Sequence, residues 1–174
     1  MWEFIKSNWW PSLKQLPWPL PWQTWLAVGL YGIVAMSVGF STGLFELKFL
    51  DLVKFWFLPV SLIVFPSFLE EAFFRGLIIP RNALDQGWKQ SAIWITLSSI
   101  LFTMWHPLNA LTINPTAKPY FLDVPFLGIV FCLGLACGVA YVQTRSLWSA
   151  VLIHWMTVVI WVTCLGGRNL ILEH

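Results

Sequence analysis

Five long apolar stretches leave this chain few ways to fold: residues 22–45, 55–79, 91–106, 126–143 and 147–165. A helix that crosses the hydrocarbon of a bilayer needs about 20 predominantly apolar residues. Inside lipid, backbone N–H and C=O groups have no water to turn to, so only helices and closed barrels span it. The segments predict an all-α, polytopic transmembrane helix bundle of about five spans, without β-sheet. Composition agrees: 58% of the 174 residues are hydrophobic and only 10% are charged, against about 25% charged in soluble domains. The net charge of +2 is small and scattered, which excludes a nucleic-acid partner. The lipid bilayer is the first partner implied, and an integral, multi-pass membrane location follows.

The breaks between segments set the organisation. Residues 1–21 carry Pro11, Pro17, Pro19 and Pro21 among tryptophans, which reads as an arm rather than a secretory signal. The prolines should break any helix there. Trp2, Trp9, Trp10, Trp18, Trp22 and Trp25 form a candidate interfacial belt, since amphipathic rings rest at headgroup level. Residues 22–174 then make one transmembrane domain. Its first segment carries small residues, Ala27, Gly29, Gly32, Ala35 and Gly39, that permit close helix packing. Pro59 and Pro66 are expected to kink the second segment, and residues 49–60 read equally well as a separate half-helix. Pro107 should end the third at His106, and Gly166-Gly167 the fifth. Lys6, Lys14, Arg81, Lys89 and Arg145 fall on one side, against Lys48, Lys54, Lys118 and Arg168 on the other. That near balance favours a cytoplasmic amino terminus only slightly. Cys132, Cys137 and Cys164 lie in apolar runs without a C-x-x-C pair and read as small core residues.

Against this background the polar residues stand out. Glu70, Glu71 and Arg75 lie within six positions of the second segment. On insertion scales a charge at bilayer depth costs about 2.5–3.5 kcal/mol, and such groups normally face a protein-lined cavity. Glu71 and Arg75 are four apart and share a helix face, so they can pair. Glu70 is rotated by about 100°, which leaves it as the carboxylate free for chemistry. The alternative is that all three only bridge helices. His106 closes the third segment, one turn after Phe102, and His154 lies in the fifth. A glutamate and two imidazoles can deprotonate a water or bind a divalent metal such as zinc. No H-E-x-x-H, G-x-S-x-G or P-loop pattern occurs, and Asp51, Asp85 and Asp123 fall at segment ends or in loops. A serine-based or paired-aspartate intramembrane protease is therefore unsupported.

The same residues fall into three ordered patterns. Glu70-Glu71-Ala72-Phe73-Phe74-Arg75 fits E-E-x-x-x-R, Phe102 to His106 fits F-x-x-x-H, and His154 to Val158 partly fits H-x-x-x-N. On successive predicted helices, these resemble the three motifs of the CAAX protease and bacteriocin-processing enzyme (Abi) family, over residues 65 to about 160. The resemblance implies a four-helix catalytic core within residues 55–165. It also implies an intramembrane endopeptidase in which Glu70, His106 and His154 are catalytic and Glu71, Arg75 and Phe102 organise the site. Family members have been described as metalloproteases and as glutamate-type hydrolases. Glu70, His106 and His154 would be the metal ligands if zinc is bound. Val158 stands where the family often has asparagine, whose amide could donate to an oxyanion. Asn109 and Asn114 are the other amides to hand, and nothing in the sequence selects either.

Two functions are expected from this reading. One is a protease that cuts a peptide or membrane-protein segment near the bilayer surface, such as a prenylated CAAX tail or a leader peptide. The other is a non-proteolytic family member acting as a scaffold or assembly factor in a larger membrane protein complex. The glutamate and both histidines favour the first, whereas the Trp-rich arm, the short chain and Val158 favour the second. His174 is given no role.

Overall fold

The computed structural model describes residues 5–51 and 53–167; Trp2, Arg168 and His174 lie outside them. The described residues are mostly helical and contain no strand, only one isolated backbone bridge between Lys48 and Leu165. The elements used below are α1 (Trp10–Lys14), α2 (Trp22–Thr42), α3 (residues 58–77), α4 (Trp88–Thr112), α5 (Val124–Thr144) and α6 (Leu147–Cys164).

Three of these helices, α2, α5 and α6, are long and apolar enough to cross a membrane. The remaining two expected spans take another form. In α3, α-helical pieces (Leu58–Leu62 and Leu69–Glu71) alternate with wider turns of π type (Ile63–Phe68 and Ala72–Leu77). The run breaks at Phe65, whose φ of −130° and ψ of 122° are extended, just before Pro66. Proline cannot donate to the preceding turn, and the residue before it is driven out of helical space. The expected kink is thus a full interruption, placed five residues before Glu70.

α4 departs from expectation in the opposite direction. It runs on through Pro107 to Thr112 rather than stopping at His106. Pro107 forfeits only the bond to the carbonyl four residues back. The extra turn brings Asn109 into the bundle, where it is buried. α5 starts where Asp123 accepts a hydrogen bond from the Phe126 amide at 2.9 Å, an N-cap, with Pro125 in the first turn. α6 ends at the expected glycines, Gly166 having φ +70°. Its last carbonyls are not left bare. The amides of Glu46, Lys48 and Leu50 donate to Leu165, Cys164 and Thr163 at 3.3, 3.1 and 2.9 Å.

α5 is the centre of the bundle and packs against α2, α4 and α6. Small residues make this possible, because without a hydrophobic drive between helices in lipid, close backbone approach supplies the attraction. A Cβ on Gly134 would sit 3.0 Å from Ser99 Cβ and 3.2 Å from Ser99 Cα, whereas one on Gly128 would meet nothing within 4 Å. Gly134→Val should cost about 1–3 kcal/mol through overpacking. Gly128→Ala should be neutral or slightly stabilising, since alanine is favoured over glycine in helices by about 1 kcal/mol. Thermal unfolding of the two variants in detergent checks the contrast; equal melting temperatures would contradict the packing account. Of the cysteines, Cys137 is fully buried in this core and Cys132 and Cys164 are half-buried, all with free thiols.

The amino-terminal arm is more ordered than its prolines suggest. α1 forms because Pro11 occupies its first turn, where the missing N–H would have had no partner. Asn8 Nδ2 donates to the carbonyls of Gly76 and Ile79 at 2.7 and 3.1 Å, and Asn8 Oδ1 accepts from the Arg81 amide. Buried Ser12 pairs with Tyr141 at 3.0 Å, and Trp148 donates to the Leu13 carbonyl at 2.8 Å. The arm therefore satisfies the carboxyl end of α3. Trp9 packs into the core beside Gly76, while Trp10, Trp18, Trp22 and Trp25 stay exposed.

Candidate active site

The site is built around a fully buried ion pair. Arg75 Nη1 donates to Glu71 Oε1 at 3.0 Å, one helical turn apart, and both side chains have zero exposure. The other arm of the guanidinium, Nη2, donates to the Gly134 carbonyl at 2.9 Å, tying α3 to α5. Its plane lies over the Phe102 ring, 4.6 Å from the centroid. A guanidinium is suited to this setting because it offers several donors in a rigid fork and stacks on aromatic faces.

Glu71 has a second partner from α6. His154 Nδ1 lies 2.9 Å from the same Oε1. A carboxylate only accepts, so Nδ1 carries the hydrogen and a neutral His154 presents the lone pair of Nε2 on its far side. That Nε2 faces Glu70, with Oε2 at 3.9 Å. Glu70 is held on its other oxygen by Trp105, whose indole N–H donates to Oε1 at 3.2 Å. Its Oε2 is buried and makes no hydrogen bond. The two adjacent glutamates thus differ by environment. Glu71 takes Arg75 and His154 together on Oε1 and leaves Oε2 buried without a partner, whereas Glu70 lines the cavity with its unpaired Oε2 facing His154 Nε2.

His106 is 8% exposed and its Nδ1 lies 3.0 Å from its own helix carbonyl at Phe102. That carbonyl can only accept, which again leaves Nε2 as the free nitrogen. The Phe102 ring meets both imidazoles edge to face, with centroids 5.1 Å from His106 and 5.6 Å from His154. Phe121 and Phe126 close the outer side of His106 at 4.8 and 6.0 Å.

Glu70, His106 and His154 all line one cavity of about 460 Å³, with Asn109, Asn114 and Val158 on the same wall set. The remaining lining is largely apolar and comes from α2, α3, α5 and α6, including Tyr31, Phe65 and Leu133. All six site residues expected from sequence are therefore within this one neighbourhood: Glu70, Phe102, His106 and His154 line the cavity, and Glu71 with Arg75 is bonded next to them. Sequence reasoning missed Trp105 and the Gly134 carbonyl. Neither carried a signal, since one is an indole among thirteen tryptophans and the other a main-chain oxygen.

The donor set is of the kind that binds zinc, with both Nε2 atoms and a Glu70 oxygen uncommitted. Yet no three His, Cys, Asp or Glu side chains among the described residues gather closely enough to hold a metal ion. The residues do not fit a metal as placed.

An all-helical bundle with three membrane-length apolar helices and charged and imidazole groups buried together around an apolar cavity defines an integral membrane protein with an internal polar site. Residues 52–160 match the family model described as Type II CAAX prenyl endopeptidase Rce1-like, and the chain belongs to that family. Comparison with curated proteins and with solved structures gives no match.

Proposed function

We propose that this protein is an intramembrane endopeptidase that uses Glu70 as general base, with His154 and His106 beside it. The observation that carries the reading is the pairing of Glu70 Oε2 with His154 Nε2 at 3.9 Å on the wall of the cavity. One water can hydrogen-bond to both atoms at roughly 2.8 Å. Glu70 takes a proton from that water as its oxygen attacks the scissile carbonyl carbon. The carbonyl oxygen becomes an oxyanion, and collapse of the tetrahedral adduct breaks the C–N bond as the leaving amine takes the proton from Glu70. Such acid–base assistance is worth about 10²–10⁴ in rate. Glu71 and Arg75 act through His154, holding its tautomer and ring plane as an orienting carboxylate does in other hydrolases.

The substrate is a peptide segment that carries an apolar group into the cavity. A prenylated CAAX tail suits a chamber lined mainly by aliphatic and aromatic side chains and the family's description. In this reading the bundle crosses the bilayer about five times, with α3, broken at Phe65, and α4, continuous through Pro107, as the other two spans. Residues 55–165 form the four-helix catalytic core, and the arm before α2 is interfacial, with the exposed Trp10 and Trp18, and Trp22 and Trp25 at the start of α2, at headgroup level.

The test is cleavage of two CAAX-ended peptides, one prenylated and one not, by the full chain reconstituted in lipid vesicles. The expected result is cleavage of the prenylated peptide, retained after exhaustive treatment with a zinc chelator. Failure to cleave either peptide, with stable recovery in a larger membrane complex, would replace this reading with that of a scaffold. Loss of activity on chelation and its return with zinc would reinstate the metal.

A further inference from the structure

We infer that Arg81 and Arg145 hold the phosphate group of an anionic ligand, and that the membrane surface supplies it as a phospholipid headgroup. The two side chains line a second cavity of about 280 Å³, walled also by Ser7, Asn8, Pro80 and Asn82. It shares no residue with the cavity that holds Glu70. The catalytic cavity reaches Phe45, Asn114, Phe121 and Leu165, at the end of the bundle where α2 finishes and α5 begins. The second lies at the opposite end, where the arm meets the turn after α3 and the turn between α5 and α6.

This wall is a set of donors. Asn8 fixes the Arg81 backbone: its Oδ1 accepts from the Arg81 amide, and its Nδ2 donates to the Gly76 and Ile79 carbonyls. The Arg81 side chain takes no part in that contact. Its Nε–H is buried without a hydrogen-bond partner, and a guanidinium N–H can only donate. The partner it lacks is an acceptor, and an anionic acceptor makes the strongest bond to a cation. Arg145 comes from the turn between α5 and α6, where its φ is 55°. Its amide donates to the Tyr141 carbonyl at 2.7 Å, a helix end that glycine usually closes. An arginine is held there against the steric preference of its backbone. Its Nη2 donates to Asp85 Oδ1, but both side chains are exposed, and pairs of that kind contribute little. Among the described residues no carboxylate lines the cavity. Two cations on one wall repel each other, and an anion between them replaces that repulsion with attraction.

Phosphate suits this wall, because guanidinium groups present paired donors that match its oxygens. The volume is below the about 300–1,000 Å³ of sites for whole small molecules, which fits a headgroup without its acyl chains. Lys6, Lys14 and Lys89 are exposed at the same end, as are Trp10, Trp18 and Trp88. Tryptophan marks headgroup level, and basic pockets between helix ends take anionic headgroups.

The test is thermal unfolding of the full chain in neutral detergent, titrated separately with short-chain phosphatidylglycerol, short-chain phosphatidylcholine and inorganic phosphate. A ligand that binds only the folded state raises the melting temperature by mass action. Phosphatidylglycerol should raise it saturably, and phosphatidylcholine should not. Arg81→Gln and Arg145→Gln, each read against its own lipid-free melting temperature, should weaken the apparent affinity about 10–100-fold, as loss of a hydrogen bond to a charged group does. Lys89→Gln removes an exposed charge off the cavity wall and should keep the full shift. If Arg81→Gln does not fold, Arg145→Gln, in an exposed turn, decides alone. A shift with inorganic phosphate that matches the lipid's and is lost in the same variants keeps the site and overturns the lipid as its source. No shift with either anion, an equal shift with phosphatidylcholine, or a shift that survives in the arginine variants or falls as far in Lys89→Gln overturns the site. None of these readouts uses peptidase activity, so the site and the peptidase reading fail separately.

Discussion

Glu70→Gln is expected to abolish peptide cleavage and leave the bundle intact. The substitution keeps the shape of the side chain and keeps an oxygen for the Trp105 indole, which now donates to Oε1 at 3.2 Å. The new amide would stand where Oε2 stands, facing His154 Nε2 at 3.9 Å, a lone pair to which it can donate. No structural contact is sacrificed, so thermal unfolding in detergent should be unchanged or slightly raised. What is lost is the proton acceptor, and with it about 10²–10⁴ in rate, or roughly 3–5.5 kcal/mol of transition-state stabilisation. Initial rates on the prenylated peptide decide the matter. Equal rates for the two proteins would sink the general-base mechanism.

Arg75→Ala should have the largest effect on stability. The guanidinium holds Glu71 at 3.0 Å and the Gly134 carbonyl at 2.9 Å, and covers the Phe102 face. All of this occurs at zero exposure. Removing one partner of a buried pair leaves an uncompensated charge and costs about 3–5 kcal/mol. That is a large share of the 5–15 kcal/mol by which folded domains are typically stable. The loss should appear as a lower melting temperature in detergent and poor recovery from membranes. Arg75→Lys should rescue little, because one ammonium cannot reproduce the forked donation to a carboxylate on α3 and a carbonyl on α5. Normal expression and an unchanged melting temperature for Arg75→Ala would show that the pair does not hold the helices. The two substitutions also separate roles: the first should remove activity with the fold kept, the second should remove the fold and the activity with it.

The parts of the molecule legible in sequence are those governed by local geometry or by transfer to lipid. Helical character follows from apolar runs whose backbone has to satisfy itself. It was readable for α2, α5 and α6, as was the end of α6 at Gly166. Glu71 and Arg75 could be paired in advance because four residues bring side chains onto one helix face whatever surrounds them. The three motifs marked the family for the same reason: they are short, local and ordered. Length and hydropathy also foresaw α2, but not that α3 would break at Phe65 or that α4 would carry on past Pro107. A proline's effect depends on whether neighbouring helices can hold the freed groups.

Only the tertiary structure decided how the helices divide the polar work. His154 turns its Nδ1 to Glu71 and its other nitrogen to Glu70, an assignment set by the rotation of α6 against α3. Trp105 holds Glu70 from α4, Gly134 receives Arg75 from α5, and Asn8 caps the end of α3 from the arm. Each of these hydrogen bonds joins residues from 35 to 83 positions apart. No periodicity in the chain encodes such separations. The sequence determined a membrane helix bundle with a glutamate, an arginine and two histidines inside it. Close packing around the small residues of α5 decided which of those groups is clamped and which is left free to react, because only packing sets the distance between side chains on different helices.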